Sequence, residues 1–286
     1  GLLENKSHIY YSAGKDKGKQ NLYKVFIERS KQLAMDNGLV CLITQSSLMA
    51  DVSSEFTREM LLTETSLLQI LEFPKTAKSQ EDKVFQSVLQ GTCIVFFKIE
   101  LSADNVFLIS SGNSISTIKK ISGEYLKQKD ILNIYPSGKY FPLVRNGEFN
   151  LLKKILNNKL RMSEFIESSS QGDFNLTTNR DKFSDFISEV RMIRGKGVHR
   201  FWLQYSENEY MDTNFKKNIV IENKLSQYFL SQNVTGTTDK HRLHFCLTDK
   251  NAKYLCGHSV NKFKLKDDEC NILFLGVLNS KAADWI

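Results

Sequence analysis

Apolar residues along this chain fall into two periods. From Gln20, Leu22, Val25, Phe26 and Leu33 recur at helical spacing, and Asp36-Asn37-Gly38 closes the pattern. That spacing predicts an amphipathic helix. Leu39 to Ile43 is a short apolar run that reads as a strand. A second helix is expected from about Ser53 through Leu62, with Ser53 or Ser54 as its N-cap, and Leu67 to Phe73 reads as another strand, ended by Pro74. The most informative stretch is Val84 to Lys98. It pairs an aromatic-bearing turn, Val84-Phe85-Gln86, with the nearly all-apolar run Cys93 to Phe97. The run is too short to cross a membrane and reads as a strand buried on both faces. The turn before it then falls at the edge of a sheet, where α/β proteins bind ligands. Asn105 to Ser110 is expected as an edge strand.

Helix, strand, helix, strand and strand with short connections is the pattern of one half of a doubly wound α/β sheet. No Gly-rich strand-to-helix turn precedes these elements, so the half that normally holds a nucleotide is absent from the pattern. Residues 1–19 are polar and without period and read as a loop. Residues 111–147 are interrupted by Gly112, Gly123, Pro136, Gly138, Pro142 and Gly147 and read as a connection between domains. Beyond it, a short helix is expected over Phe149–Leu156. Strands are expected near Val190–Ile193, Val198–Tyr205, Ile219–Glu222, Leu243–Leu247 and Lys262–Leu265, and a final helix over about Cys270–Ile286. The domains are therefore drawn as 1–110, a linker at 111–147, and a mixed α/β domain at 148–286.

Composition narrows the class. With 286 residues, 41% hydrophobic and 25% charged, the chain is ordinary for a globular protein. No apolar run approaches the roughly 20 residues of a membrane helix, and the first residues do not form a signal peptide. The five cysteines, Cys41, Cys93, Cys246, Cys256 and Cys270, are scattered. Buried thiols in a reducing cytoplasm account for them most simply. His244, Cys246, Cys256, His258 and Cys270 lack the paired spacing of a metal site, so no metal is expected. Net charge is +7; residues 1–150 hold 18 basic and 16 acidic side chains, and residues 151–286 hold 21 and 16. The excess in the second half fits a polyanion partner, and a solvated Lys-rich surface is the alternative.

Three clusters in the second half carry candidate DNA chemistry. In Arg191-Met192-Ile193-Arg194-Gly195-Lys196-Gly197-Val198-His199-Arg200, five basic or potentially basic side chains flank a turn whose glycines let the backbone approach a ligand. Arg grips guanine edges or phosphates bidentately. Residues 235–242 bring Thr237, Thr238, Lys240 and Arg242, and residues 179–182 bring Arg180 and Lys182. For each cluster, an exposed loop with solvated charges is the alternative. A rival chemistry is the strand Ile219-Val220-Ile221 ending in Glu222-Asn223-Lys224. With Asp212 upstream it has the form of half a Mg²⁺-dependent nuclease signature, a pattern that chance supplies often.

Taken in order, the segments resemble adenine-N6 DNA methyltransferases of the restriction–modification type, with a TaqI-like target-recognition domain at the C-terminus. Gln20 to Glu28 resembles the helix after that family's catalytic strand, usually Asp-Leu-Tyr-x-x-Phe-Ile-Glu, with Asn21 replacing the acid. Gly38 to Leu48 resembles the next motif, with Gln45 where proline is usual. Val84 to Lys98 resembles the motif whose aromatic residue borders the flipped-out adenine, which places Phe85 in the base pocket; an apolar core anchor is the other reading of Phe85. Arg194–Arg200 and Leu275–Lys281 are similar to recurrent segments of the recognition domain. The family's Asn/Asp-Pro-Pro-Tyr/Phe tetrapeptide and its Gly-rich S-adenosylmethionine segment occur nowhere.

The resemblance therefore implies the C-terminal half of a Rossmann-like methyltransferase sheet followed by a recognition domain. Such a chain would bind double-stranded DNA through Arg180, Lys182, Arg191, Arg194, Lys196, His199, Arg200, Thr237, Thr238, Lys240 and Arg242. S-adenosylmethionine would belong to the parent enzyme and not to this chain alone. The missing N-terminal methyltransferase half would be its protein partner, the cytoplasm its location, and base flipping its mode of access to the target.

Overall fold

The computed structural model describes residues 21–73, 84–85, 90–100, 102, 104–112, 123–145, 147–157, 160–175, 177–184, 186–188, 190–207, 209–211, 227–235, 239–250 and 253–285. The chain divides into two compact units, Gly1–Asn158 and Lys159–Ile286, both of mixed α/β architecture.

The first unit is built on five strands: β1 (Leu39–Gln45), β2 (Ser66–Phe73), β3 (Thr92–Lys98), β4 (Val106–Ser111) and β5 (Gly123–Lys127). Their spatial order is β1-β3-β2-β4-β5. β2 and β4 are parallel, while β3 runs antiparallel to both β1 and β2 and lies between them. Helices α1 (Leu22–Leu33), α2 (Glu55–Glu64), α3 (Gln128–Ile134) and α4 (Glu148–Leu156) complete the unit. β3 buries Cys93, Val95 and Phe97 on one face, with Ile94 and Phe96 half-buried on the other. The strand expected to be buried on both faces is thus fully buried on only one.

Two expectations change. β4 is an inner strand and not an edge, because β5 pairs with it from Val106↔Lys127 to Ser110↔Gly123. Residues 111–147, expected to link domains, contribute β5 and α3 to this unit. The Gly138 carbonyl accepts Nε of the fully buried Arg58 at 2.8 Å, and the Gly138 N–H donates to Glu55 at 2.7 Å. Gly138 has φ +78°, a conformation that costs a glycine little. The turn at Gly138 is thus fastened to α2, and Gly123 begins β5. At the start of α2, Ser54 occupies the cap position without a side-chain hydrogen bond; the Asp51 carboxylate accepts the Ser53 N–H at 2.9 Å instead.

α1 forms where its period predicts, but with the opposite face inward. Lys24, Ile27 and Glu28 are buried, whereas Leu22, Phe26 and Leu33 are 62%, 65% and 69% exposed. Lys24 is accommodated because its Nζ donates to the Ser53 carbonyl at 2.6 Å and to the Ser53 hydroxyl at 2.7 Å. The outer face of β1 is apolar as well: Leu39, Cys41 and Ile43 point to solvent. Among the described residues, no strand pairs with the outer edge of β1.

The second unit begins with α5 (Met162–Phe165) and holds two four-stranded sheets. One contains β6 (Ile166–Gln171), β10 (Phe229–Gln232), β11 (Phe245–Leu247) and β13 (Val260–Leu265), in the order β11-β10-β13-β6, all antiparallel. The other contains β7 (Phe183–Ser184), β8 (Arg191–Ile193), β9 (Tyr210–Met211) and β12 (Tyr254–Cys256), in the order β12-β8-β9-β7, with β12 and β8 parallel. Ile193, Val198, Leu230, Cys246, Cys256 and Val260 form its main buried cluster. The single helix expected at the end is two, α6 (Asn271–Leu278) and α7 (Lys281–Trp285), separated at Asn279-Ser280. The strand expected over Ile219–Glu222 lies outside the described residues.

Candidate functional site

In the first unit, the carboxyl ends of β1, β2 and β4 and the start of β3 share one edge of the sheet. Cross-strand register sets four polar residues side by side just inside that edge: Thr44 opposite Cys93, Cys93 opposite Glu72, and Glu72 opposite Ser111. Directly opposed residues project to the same face of a sheet, so they form one row. Thr44 Oγ1 lies 3.2 Å from Cys93 Sγ, and the Ser111 hydroxyl donates to Glu72 Oε2 at 2.8 Å. Burial pushes the Glu72 carboxyl above its ordinary value and the Cys93 thiol up to about 11.

Beside the row, Asn21 Nδ2 donates to Gln45 Oε1 at 3.3 Å. The Tyr23 hydroxyl lies 2.7 Å from Ser54 Oγ and 3.2 Å from Ser47 Oγ. Asn21 and Gln45, the two residues that depart from the motifs this stretch resembles, thus bond to each other. Phe85 lies in the segment joining β2 to β3, which leaves the sheet and returns to it at this edge, and is 46% exposed. An anchor buried in the core is therefore not its role.

In the second unit, the basic cluster is partly tied up. Arg194 donates from Nε to Glu209 Oε2 at 2.7 Å and from Nη2 to Glu209 Oε1, a bidentate pair that neutralises its charge. Arg191 is exposed, its guanidinium 5.2 Å from the centre of the Tyr205 ring. Arg200 donates to the main-chain carbonyl of Asn279. Lys196 is exposed. A cleft of ≈ 490 Å³ opens here, lined among others by Arg194, Lys196, Tyr205, Glu207 and Glu209, so both signs of charge meet in it.

The two glycines of the cluster serve the protein's own packing. A Cβ on Gly195 would stand 2.6 Å from the Ser259 carbonyl oxygen, and one on Gly197 would stand 2.2 Å from that of Gln204. The expected close approach is therefore made by the chain itself.

Val198 to Tyr205, expected as one strand, is a tight hairpin. Val198 bridges Leu203, His199 N–H donates to the Trp202 carbonyl at 3.1 Å, and Gln204 N–H donates to that of Gly197 at 2.8 Å. Phe201, at its tip, has φ +73° and is 56% exposed; Trp202 is 55% exposed and stacks on His199 at 3.8 Å between ring centroids. Neither aromatic was singled out from sequence. The signal was there, as two large aromatics directly after a basic run.

Lys240 and Arg242 are exposed on a loop held by Asp284, whose Oδ1 accepts the Arg242 and Leu243 N–H groups at 2.7 Å each. The Leu243 amide, with that of Arg242, holds the Asp284 carboxyl below its ordinary value. Arg180 is exposed in the turn before β7. The Lys182 side chain, Thr237, Thr238, Asp212, Glu222 and Lys224 lie outside the described residues. Among the described residues, no helix is long and apolar enough to cross a membrane, and no group of His, Cys, Asp and Glu is arranged to hold a metal.

Residues 3–79 match the family model described as Eco57I restriction-modification methylase. Over those residues the chain is related to restriction–modification proteins. A nuclease-deletion mutant of the Type ISP restriction–modification enzyme LlaGI, solved with a DNA substrate mimic, is 11% identical with a TM-score of 0.51, covering 96% of this chain and 35% of that one. The Type IIL restriction–modification enzyme MmeI, solved with DNA, is 11% identical with a TM-score of 0.50, covering 93% of this chain and 39% of that one. At such identity the likeness is one of fold, and the chain spans little more than a third of either enzyme. No curated protein matches the sequence.

Proposed function

We propose that this chain supplies the DNA recognition and one wall of the target-adenine pocket of a site-specific adenine-N6 methyltransferase in a restriction–modification system. The observation that carries the reading is the restriction-modification methylase match over residues 3–79. That match runs through β1, α2 and β2, to the segment that bears the exposed Phe85. In this reading Phe85 lies against the flipped adenine, a contact of about 1 kcal/mol, and the second unit reads base edges with its exposed cations. The two enzymes of similar fold, each solved with DNA or a DNA mimic, support a DNA partner.

In this reading S-adenosylmethionine is held by the parent enzyme outside the described residues. The described polar groups at the carboxyl edge are bonded to one another: Thr44 with Cys93, Glu72 with Ser111, Asn21 with Gln45. The same reading assigns the cofactor and the catalytic tetrapeptide to the other methyltransferase half of the parent enzyme. The outer edge of β1, unpaired among the described residues, and the exposed apolar residues Leu22 and Phe26 of α1 and Leu39 and Ile43 of β1 favour a covering layer, because such surface is an aggregation liability when bare.

The test is to incubate the chain with labelled S-adenosylmethionine and duplex DNA. The reading predicts DNA binding without methyl transfer. Transfer above background would refute the division of labour; absence of DNA binding would refute the recognition role.

A further inference from the structure

The hairpin Val198–Leu203 ends in an exposed aromatic pair, Phe201 at its tip and Trp202, which stacks on His199. Phe201 adopts φ +73°, the left-handed region in which a side chain is strained and glycine is favoured. The hairpin around it is held fast. Phe201 N–H donates to the Phe245 carbonyl at 2.9 Å, Gln232 Nε2 donates to the Val198 carbonyl at 2.9 Å, and Arg200 is tied to the Asn279 carbonyl. The tip is thus a rigid mount whose strain is sustained from outside.

From this geometry we infer that Phe201 and Trp202 form a wedge that stacks on base faces of duplex DNA. The inference rests on the DNA-recognition reading above and adds a contact of a different kind. Charge complementarity selects the occupant. Lys196 at the base of the hairpin and Lys240 and Arg242 on the loop leading to Phe245 are all exposed. Of the nearby carboxylates, Glu209 is engaged by Arg194 and Asp284 by the Arg242 and Leu243 amides, while Glu207 is exposed on the cleft that Lys196 lines. An exposed aromatic pair on a unit with exposed cations suits the unstacking of a base step, since the cations can hold phosphates while the wedge replaces lost stacking.

Phe201→Gly separates this role from a structural one. Glycine relieves the positive φ, so the variant should unfold at or above the wild-type midpoint. Its affinity for short duplexes of mixed sequence should nonetheless fall roughly five- to a hundredfold, the range that loss of base–aromatic stacking gives. Trp202→Ala should show a similar loss. Neither change removes a charge, so the salt dependence of binding should keep its slope. Duplexes carrying 2-aminopurine should brighten with the wild type and less with either variant. If both variants bind and brighten the probe as the wild type does, the wedge is refuted and DNA recognition stands. If the wild type shows no salt-dependent affinity, the DNA reading fails and the wedge with it.

Discussion

Arg200 donates from Nη2 to the main-chain carbonyl of Asn279, just past the end of α6. Asn279 is 2% exposed, and its side chain accepts the Phe245 N–H at 3.1 Å and donates to the Phe245 carbonyl at 2.9 Å. The segments Arg194–Arg200 and Leu275–Lys281, far apart in sequence, are therefore joined at one point, with β11 between them. Arg200 is held for this bond, which makes it a brace for the hairpin before it is a ligand for DNA.

Asn279→Ala should destabilise the second unit by roughly 2 kcal/mol, because the Phe245 N–H loses its partner while the Phe245 carbonyl keeps the Phe201 N–H. Both tryptophans of the chain, Trp202 and Trp285, lie in this unit, so denaturation followed by tryptophan fluorescence reports it. An unchanged midpoint would contradict the account of Asn279.

Gly197→Ala should cost about 2 kcal/mol, since the new methyl meets the Gln204 carbonyl oxygen at 2.2 Å and main chain must move to admit it. The same fluorescence transition measures the loss. A variant of wild-type stability with weakened DNA affinity would instead mean that the glycine exists for ligand approach.

Glu72 gives the first unit a pH dependence of known sign. Burial raises its carboxyl pKa above the ordinary 4.5, so the folded state holds the proton more tightly than the unfolded state. Its contribution to stability is complete below the ordinary value and is lost as pH rises through the raised one. Glu72→Gln retains a partner for Ser111 and removes the titration. Its stability should exceed that of the wild type increasingly as pH rises through that window, as followed by far-ultraviolet circular dichroism. Parallel stability curves would contradict the assignment.

The cations of the second unit should separate by their internal partners. Arg242→Ala should reduce the slope of log affinity against log salt by roughly one, as loss of a phosphate contact does. Arg194→Ala should leave that slope unchanged, because Glu209 already occupies the guanidinium, and should act through stability. Binding titrations over a range of salt distinguish the two, and equal slopes lost by both variants would contradict the pairing.

What could be read from sequence was set by the range of the interaction that decides each feature. The β3 run and the α1 period are local, and both elements form where the pattern places them. The inward face of α1 was misread because Lys24 finds its partner on Ser53, a contact no helical period encodes. β6, Ile-Glu-Ser-Ser-Ser-Gln, carries one apolar residue and forms by pairing with β13. Residues 111–147 read as a linker in sequence because their glycines and prolines break every period, whereas a distant side chain, Arg58, fixes the turn at Gly138. At the candidate interface the basic run was visible, but Glu209, which neutralises Arg194, is not part of it.

Selection from a randomised duplex library tests the central claim most directly. The purified chain, at a stated salt concentration, should enrich one defined short sequence over successive rounds, as a recognition domain must. Affinity that is salt-dependent yet equal for every sequence, or no affinity at all, would contradict it.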